Sequence, residues 1–134
     1  MVRKASIEDI EILNNLKTKL SLSRLKYEKP SLDITDDIIL DDNSITFISV
    51  YNNKEIGYLH GYKYKNKAVI EQIYVLDSYR DSGIGQELVN EFKNWANHNS
   101  LTNIEVNIEN GNDAYFLFDK LGFEITKVIM NLNI

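Results

Sequence analysis

Seven consecutive residues, Tyr79-Arg80-Asp81-Ser82-Gly83-Ile84-Gly85, carry the clearest chemistry in this sequence. They stand between a run of strand-like composition, AVIEQIYV from Ala68 to Val75, and an amphipathic helical run that opens at Ile84. A glycine-rich turn at such a junction leaves backbone N–H groups without partners at the helix start, where the dipole favours an anion. Gly83 and Gly85 let that backbone approach a ligand closely and take positive φ where the turn requires it. The pattern predicts a phosphate-bearing ligand held by the amides of Asp81, Ser82, Gly83, Ile84, Gly85 and Gln86. Arg80 either adds a charge to this grip or is a solvated turn residue. Two other phosphate-binding patterns are excluded. Position 88 is Leu where G-x-G-x-x-G needs glycine, and no Gly-Lys-Ser/Thr follows as the Walker A pattern requires.

The composition narrows the rest. A chain of 134 residues is most simply one domain with a sizeable core, so residues 1–134 are expected to form a single unit. With no cysteine there can be no disulfide, thiolate metal ligand or covalent cysteine intermediate. His60 and His98 stand apart, and no metal site is expected. The start, MVRKASIEDI, lacks the apolar stretch of a signal peptide, and no apolar run approaches membrane-spanning length. A cytoplasmic protein is the expectation. A net charge of −5 argues against nucleic acid or an anionic membrane as partner. A homodimer is compatible with all of this.

The elements that must position the turn follow from periodicity. Val2 to Ala5 reads as a short strand. Ser6 precedes Asp9 by three positions, a capping-box spacing, and Ile10, Leu13, Leu16 and Leu20 recur at helical intervals. Pro30 interrupts the next region, and Asp33 to Asp42 reads as an acidic helix or loop. Ser44 to Tyr51, Glu55 to Lys65 and Ala68 to Val75 read as strands joined by turns at Asn52-Asn53 and Asn66, an antiparallel meander. Ile84, Leu88, Val89, Phe92, Trp95 and Ala96 form one stripe of the following helix. Asn103 to Glu109 alternates as a strand, and a short helix from about Asn112 ends at Gly122. Phe123 to Leu132 reads as a final strand. The crossover from Ala68 to Ile108 should be right-handed and its strands parallel. The fold class is therefore α/β, a mixed and mostly antiparallel central sheet flanked by helices.

Arg80, Gly83 and Gly85 in the form Arg-x-x-Gly-x-Gly, between strand and helix, resemble the pyrophosphate-binding motif of the GNAT N-acetyltransferase superfamily. Asn110 to Phe123, ending FDKLGF, is similar to that family's second signature, an Asn followed by a helix ending in Tyr-x-x-x-Gly-Phe. The two motifs cover roughly residues 68 to 123, and the remainder matches in element order. The resemblance implies a single GNAT-like acyltransferase domain that uses acetyl-CoA as acyl donor. It implies direct transfer of the acetyl group to a primary amine of a small molecule or peptide. A non-catalytic acyl-CoA-binding sensor or interaction module is the alternative.

The resemblance also assigns roles. The strand before the turn would part from its parallel neighbour, leaving Ile73 and Val75 to pair with the pantetheine arm and the Val75 N–H to stabilise the oxyanion. An amine arrives mostly as an ammonium and must lose a proton before attack. Glu71, read as sharing a face with Val69, Ile73 and Val75, is the preferred base, and Glu105 on the adjacent strand is the other candidate. The family acid is the Tyr of Tyr-x-x-x-Gly-Phe, where this chain has Phe118. Tyr115, one helical turn earlier, is the substitute candidate, against a simple packing role. Asn110 stands where the family has an Asn near the cofactor arm, one residue further from its helix. His60 lies with Tyr58, Tyr62 and Tyr64 on one strand face, either lining the acceptor cleft or forming an aromatic ladder. Glu28, Asp33, Asp36, Asp37, Asp41 and Asp42, against Lys29 alone, suggest a cationic acceptor or a solvated acidic loop.

Overall fold

Turns with left-handed backbone set the sheet. The computed structural model describes residues 1–24 and 40–134. Its strands are β1 (Val2–Lys4), β2 (Ser44–Tyr51), β3 (Lys54–Tyr64), β4 (Lys67–Val75) and β5 (Asn103–Val106), in spatial order β1-β2-β3-β4-β5. Asn52 and Asn53 take φ of 50° and 61°, the pair of positive values that a two-residue hairpin needs between β2 and β3. Lys65, at φ 56°, turns β3 into β4. The first four strands pair antiparallel and β5 joins β4 in parallel, as the crossover through the intervening helix demands. The expected acidic segment lies mostly at residues 25–39, outside the described residues, and with it Glu28, Lys29, Pro30, Asp33, Asp36 and Asp37.

Helices cover both faces. Helix α1 (Ile10–Arg24) lays Leu13, Leu16 and Leu20 against Ile48, Ile56, Tyr58 and Tyr74 on one face of the sheet. Helix α2 (Ile84–His98) buries Leu88, Val89, Phe92 and Ala96 against Ile45, Leu59, Ala68 and Ile70 on the other. Helix α3 (Ala114–Lys120) adds Phe118 to that second core and ends in a Schellman motif, with Gly122 at φ 92° and the Phe123 N–H on the Phe118 carbonyl at 2.9 Å. No helix of the described residues is long and apolar enough to cross a membrane.

Three expectations need correction. Strand β5 stops at Val106, short of Glu109, because β4 offers it a ladder only from Lys67 to Ile70. The pairing of Phe123 to Leu132 as a strand is not found, since no edge among the described residues receives it, and its side chains beyond Phe123 stand exposed. Glu71 does not share one alternating face with Val69, Ile73 and Val75. In the β3–β4 register His60 faces Gln72 while Gly61 faces Ile70, so Glu71 is the extra residue of a β-bulge. Before it Ala68 and Ile70 face α2; after it Ile73 and Val75 do, and Gln72 and Tyr74 turn to the α1 side. Gly61 permits the bend, for a Cβ there would stand 2.5 Å from the Phe92 ring and 2.6 Å from the Val69 carbonyl oxygen.

The N-terminal strand is tied to the first helix by one carboxylate. Asp9 accepts two hydrogen bonds from the Arg3 guanidinium, each at 2.9 Å, and the Ser6 N–H at 2.9 Å. The Arg3 contact, aided by Ser6 and opposed by burial, lowers its pKa to about 2. A depressed carboxylate stabilises the fold above its unfolded pKa and loses that contribution as pH falls through the folded value. Asp9→Asn is expected to cost about 2 kcal/mol in urea unfolding at pH 7. The difference from the parent should vanish progressively between about pH 4 and pH 2.

Candidate functional site

Strands β4 and β5 pair over only four residues, Lys67 to Ile70 against Asn103 to Val106. Beyond the bulge β4 continues to Val75 with β3 on one side and, among the described residues, no strand on the other. The two parallel strands therefore part at Glu71 and form a fork. On the β3 side Ile73 stands opposite Leu59 and Val75 opposite Gly57, where a Cβ would meet the Tyr74 carbonyl oxygen at 2.6 Å. The Val75 carbonyl accepts Arg80 Nε at 3.1 Å, so it points out of the ladder toward the turn. In a strand the N–H of a residue projects to the same side as its carbonyl, which aims the Val75 amide the same way.

The glycine-rich turn closes the open end of the fork. A single 3₁₀ turn, Asp77–Tyr79, leads into it, and Asp81 and Gly83 both take left-handed φ, 59° and 86°. Gly83 is the N-cap of α2, and the first helical bond runs from the Glu87 N–H to the Gly83 carbonyl at 3.0 Å. The amides of Ile84, Gly85 and Gln86 precede that bond and have no helical acceptor. The Ser82 hydroxyl donates to the Tyr79 carbonyl and braces the turn. Arg80 lies over the Tyr74 ring and pairs with Asp77 at 3.1 Å as well as with Val75, so its charge sits between strand and turn. Gly85 lets α3 approach, for a Cβ there would stand 3.0 Å from Leu117. Consecutive main-chain donors at a helix N-terminus suit a pyrophosphate, whose oxygens accept from every side.

Glu71 sits where the strands part. Its carboxylate lies 3.7 Å from His60 Nε2, while His60 Nδ1 shares a 2.6 Å hydrogen bond with the Thr46 hydroxyl. Burial lowers the His60 pKa, opposed by the charge of Asp41 and a hydrogen bond to Ile45. The imidazole is therefore neutral near pH 7, and its contact with Glu71 is between a dipole and a charge. Beside it the Tyr58 hydroxyl donates to Gln72 Oε1 at 2.6 Å. The sequence reading missed Thr46 and Gln72, because only cross-strand register brings them to His60 and Tyr58.

The remaining candidates lie apart. Glu105 stands opposite Val69, on the paired side of the fork, and its carboxylate takes the Lys67 ammonium at 3.1 Å. Tyr115 is partly exposed on α3, edge-to-face with Phe116. Phe118, three residues on, is fully buried against Phe123, so the two do not share an environment. Asn110 is an exposed residue of the turn between β5 and α3, next to Gly111 at φ 87°. Among the described residues no group of three or more His, Asp or Glu gathers in a way that could hold a metal ion.

A mixed sheet forked after its fourth strand, with an amide-rich turn at the fork, defines the acyltransferase fold that the two sequence motifs resemble. The sequence model of the acetyltransferase (GNAT) family matches residues 11–123, and the chain belongs to that family. Solved structures share its fold. A variant of the BH1408 protein of Bacillus halodurans superposes with a TM-score of 0.83 at 19% identity, covering 100% of this chain and 99% of its own. The aminoglycoside acetyltransferase AAC(6')-Iy, bound to the bisubstrate analogue CoA-S-monomethyl-acetylneamine, gives 0.78 at 20% identity, covering 99% and 96%. The aminoglycoside 6'-N-acetyltransferase AAC(6')-IG of Acinetobacter haemolyticus gives 0.74 at 20%, covering 99% and 97%. No curated protein matches the chain in sequence.

The left-handed turn is testable without any ligand. A side chain at Gly83 would meet nothing within 4 Å, so the strain of substitution is purely conformational. Gly83→Val should lower stability by about 1–2 kcal/mol in urea unfolding, the cost of forcing an L-residue into this region. Gly83→Asn should cost clearly less, because Asn tolerates that region.

Proposed function

We propose that this protein is an acetyl-CoA-dependent N-acetyltransferase that passes the acetyl group directly from the thioester to a primary amine of a small molecule. The observation that carries this reading is the fork itself, joined to the turn from Arg80 to Gln86. A carboxylate at the branch point, an open strand edge for an amide-bearing arm and backbone donors for a pyrophosphate follow one another along β4 and the turn after it. The likeness to AAC(6')-Iy with its bisubstrate analogue supports a small amine over a peptide as acceptor.

In this reading Ile73 and Val75 hold the pantetheine arm, the amides from Asp81 to Gln86 hold the pyrophosphate with Arg80 beside them, and Asn110 borders the arm. Bound there, the donor supplies a thioester carbonyl. Glu71 takes the proton of the acceptor ammonium, directly or through a water, the neutral amine adds to the carbonyl to form the C–N bond, and the C–S bond then breaks. The Val75 N–H stabilises the oxyanion that develops between those events. The nitrogen loses its second proton to solvent as the amide forms, and Tyr115 or water supplies a proton to the thiolate. Glu105 is the weaker base candidate, since Lys67 already holds its carboxylate.

Acetyl-CoA with a panel of amines, aminoglycosides included, should release free thiol in proportion to acetylated product. Glu71→Gln should lower kcat about a hundredfold or more at neutral pH, while Glu105→Gln changes it little. The reverse ranking would move the base to Glu105. Saturating acetyl-CoA should raise the melting temperature of the parent and of both variants, since a ligand that binds only the native state stabilises it. Stabilisation with no thiol release from any amine would favour the non-catalytic sensor instead.

A further inference from the structure

A histidine buried in a sheet must find partners for both ring nitrogens, and His60 finds them on the strands to either side. Thr46, His60 and Gln72 stand abreast across β2, β3 and β4, and all three are buried, His60 to 4% exposure. From β2 the Thr46 hydroxyl meets Nδ1 at 2.6 Å. From β4 the Glu71 carboxylate comes within 3.7 Å of Nε2, on a side chain that is 40% exposed. Register alone would give His60 only Gln72 as its β4 neighbour, and the bulge brings Glu71 round to it. Gln72 is taken instead by the Tyr58 hydroxyl at 2.6 Å. An apolar side chain would fill a buried position at less cost than an imidazole, which must be hydrogen-bonded to be buried at all. A row from buried hydroxyl through imidazole to half-exposed carboxylate thus ends where the strands of the fork part.

The neighbouring charges decide where the ring proton sits. A carboxylate only accepts, so it draws the single proton of the neutral ring to Nε2. The Thr46 hydroxyl can donate or accept, and it then donates to the bare Nδ1. The Ile45 carbonyl, also on β2, pulls the other way, as a dipole against a full charge. Asp41, just before β2, and Lys17, on α1, act on the ring with opposite signs. At 3.7 Å the contact with Glu71 is longer than a hydrogen bond and acts between charge and dipole. We infer that His60 is a positioning residue for Glu71: pinned by Thr46 from β2, it directs its Nε2–H at the carboxylate and holds that group at the branch point of the fork. A half-exposed glutamate on a bulge otherwise samples several rotamers. Because the hold is a dipole and not a charge, the carboxylate stays free to take a proton. This inference rests on the base role proposed for Glu71.

The chain has only two histidines, so His98→Asn protein shows the His60 ring alone in nitrogen NMR spectra. At neutral pH that ring should carry its proton on Nε2, and adding Glu71→Gln should move the population toward Nδ1. A ring protonated at Nδ1 from the start, or one that Glu71→Gln leaves unchanged, would overturn the proposal. This readout needs neither coenzyme A nor turnover, and it covers the case in which His60→Leu does not fold. Kinetics supply the second test. His60→Leu should lower kcat about tenfold or more while the KM for acetyl-CoA changes little. His60→Gln, whose amide N–H can reach the same carboxylate, should recover most of that loss. In the Glu71→Gln background His60→Leu should cost nothing further, because the group it positions is gone. An equal loss in both backgrounds, or a His60→Gln as slow as His60→Leu, would reduce His60 to a structural residue and sink the inference. A parent that shows the Nε2–H ring but releases no thiol from any amine would instead overturn the proposed acetyl transfer and leave the His60–Glu71 contact standing.

Discussion

One extra residue in β4 governs the geometry of the molecule. Glu71 has no opposite number in β3, and that bulge turns the strand away from β5 after only four paired residues. Everything that could meet a thioester depends on this parting. Without it β5 would continue to pair along β4, and the backbone of Ile73 and Val75 would be spent on a ladder. The bend is held by close packing that admits no side chain at Gly61, where the Phe92 ring lies directly against the sheet. The local cost of an interrupted ladder is offset by the apolar contacts of α2 with Leu59, Ala68 and Ile70.

The bulge also explains where polar groups are buried. On the α1 side it brings Gln72 to Tyr58 and leaves His60 between Thr46 and Glu71, at hydrogen-bond distance from the first. A buried imidazole stays neutral because its charged form would lose solvation. A neutral His60 neither holds the Glu71 carboxylate by charge nor repels it, which agrees with the base role proposed for Glu71. Glu105 stands in the contrasting situation, beside an ammonium on the closed side of the fork.

Much of this was legible in the sequence where local physics decides. Asn52-Asn53 and the Gly83 turn announce themselves because few residues accept positive φ. The α2 stripe from Ile84 to Ala96 reads directly as a buried face. The family motifs placed the turn at the end of β4, and the structure finds it there. Strict alternation misread the face of Glu71, because a bulge is a property of two strands and leaves no mark on either alone. Thr46 and Gln72 escaped for the same reason. The run after Phe123 has the composition of a strand, yet composition cannot supply it with an edge.

The acidity of the whole chain and the anionic character of its inferred donor are compatible because they act over different ranges. A net charge of −5 is a weak, salt-screened field beyond about 10 Å. The amides of Ile84, Gly85 and Gln86 act at hydrogen-bond distance, with fixed dipoles that need no side-chain charge and no reorganisation. The long-range field repels an anion modestly and draws in a cation, and the acceptor amine reaches the protein as a cation. In the proposed function, backbone geometry would thus select the donor at contact while net charge favours the acceptor at a distance. In the proposed reading this division gives the phosphates to the turn and the amine to the carboxylate side of the site, Glu71 first.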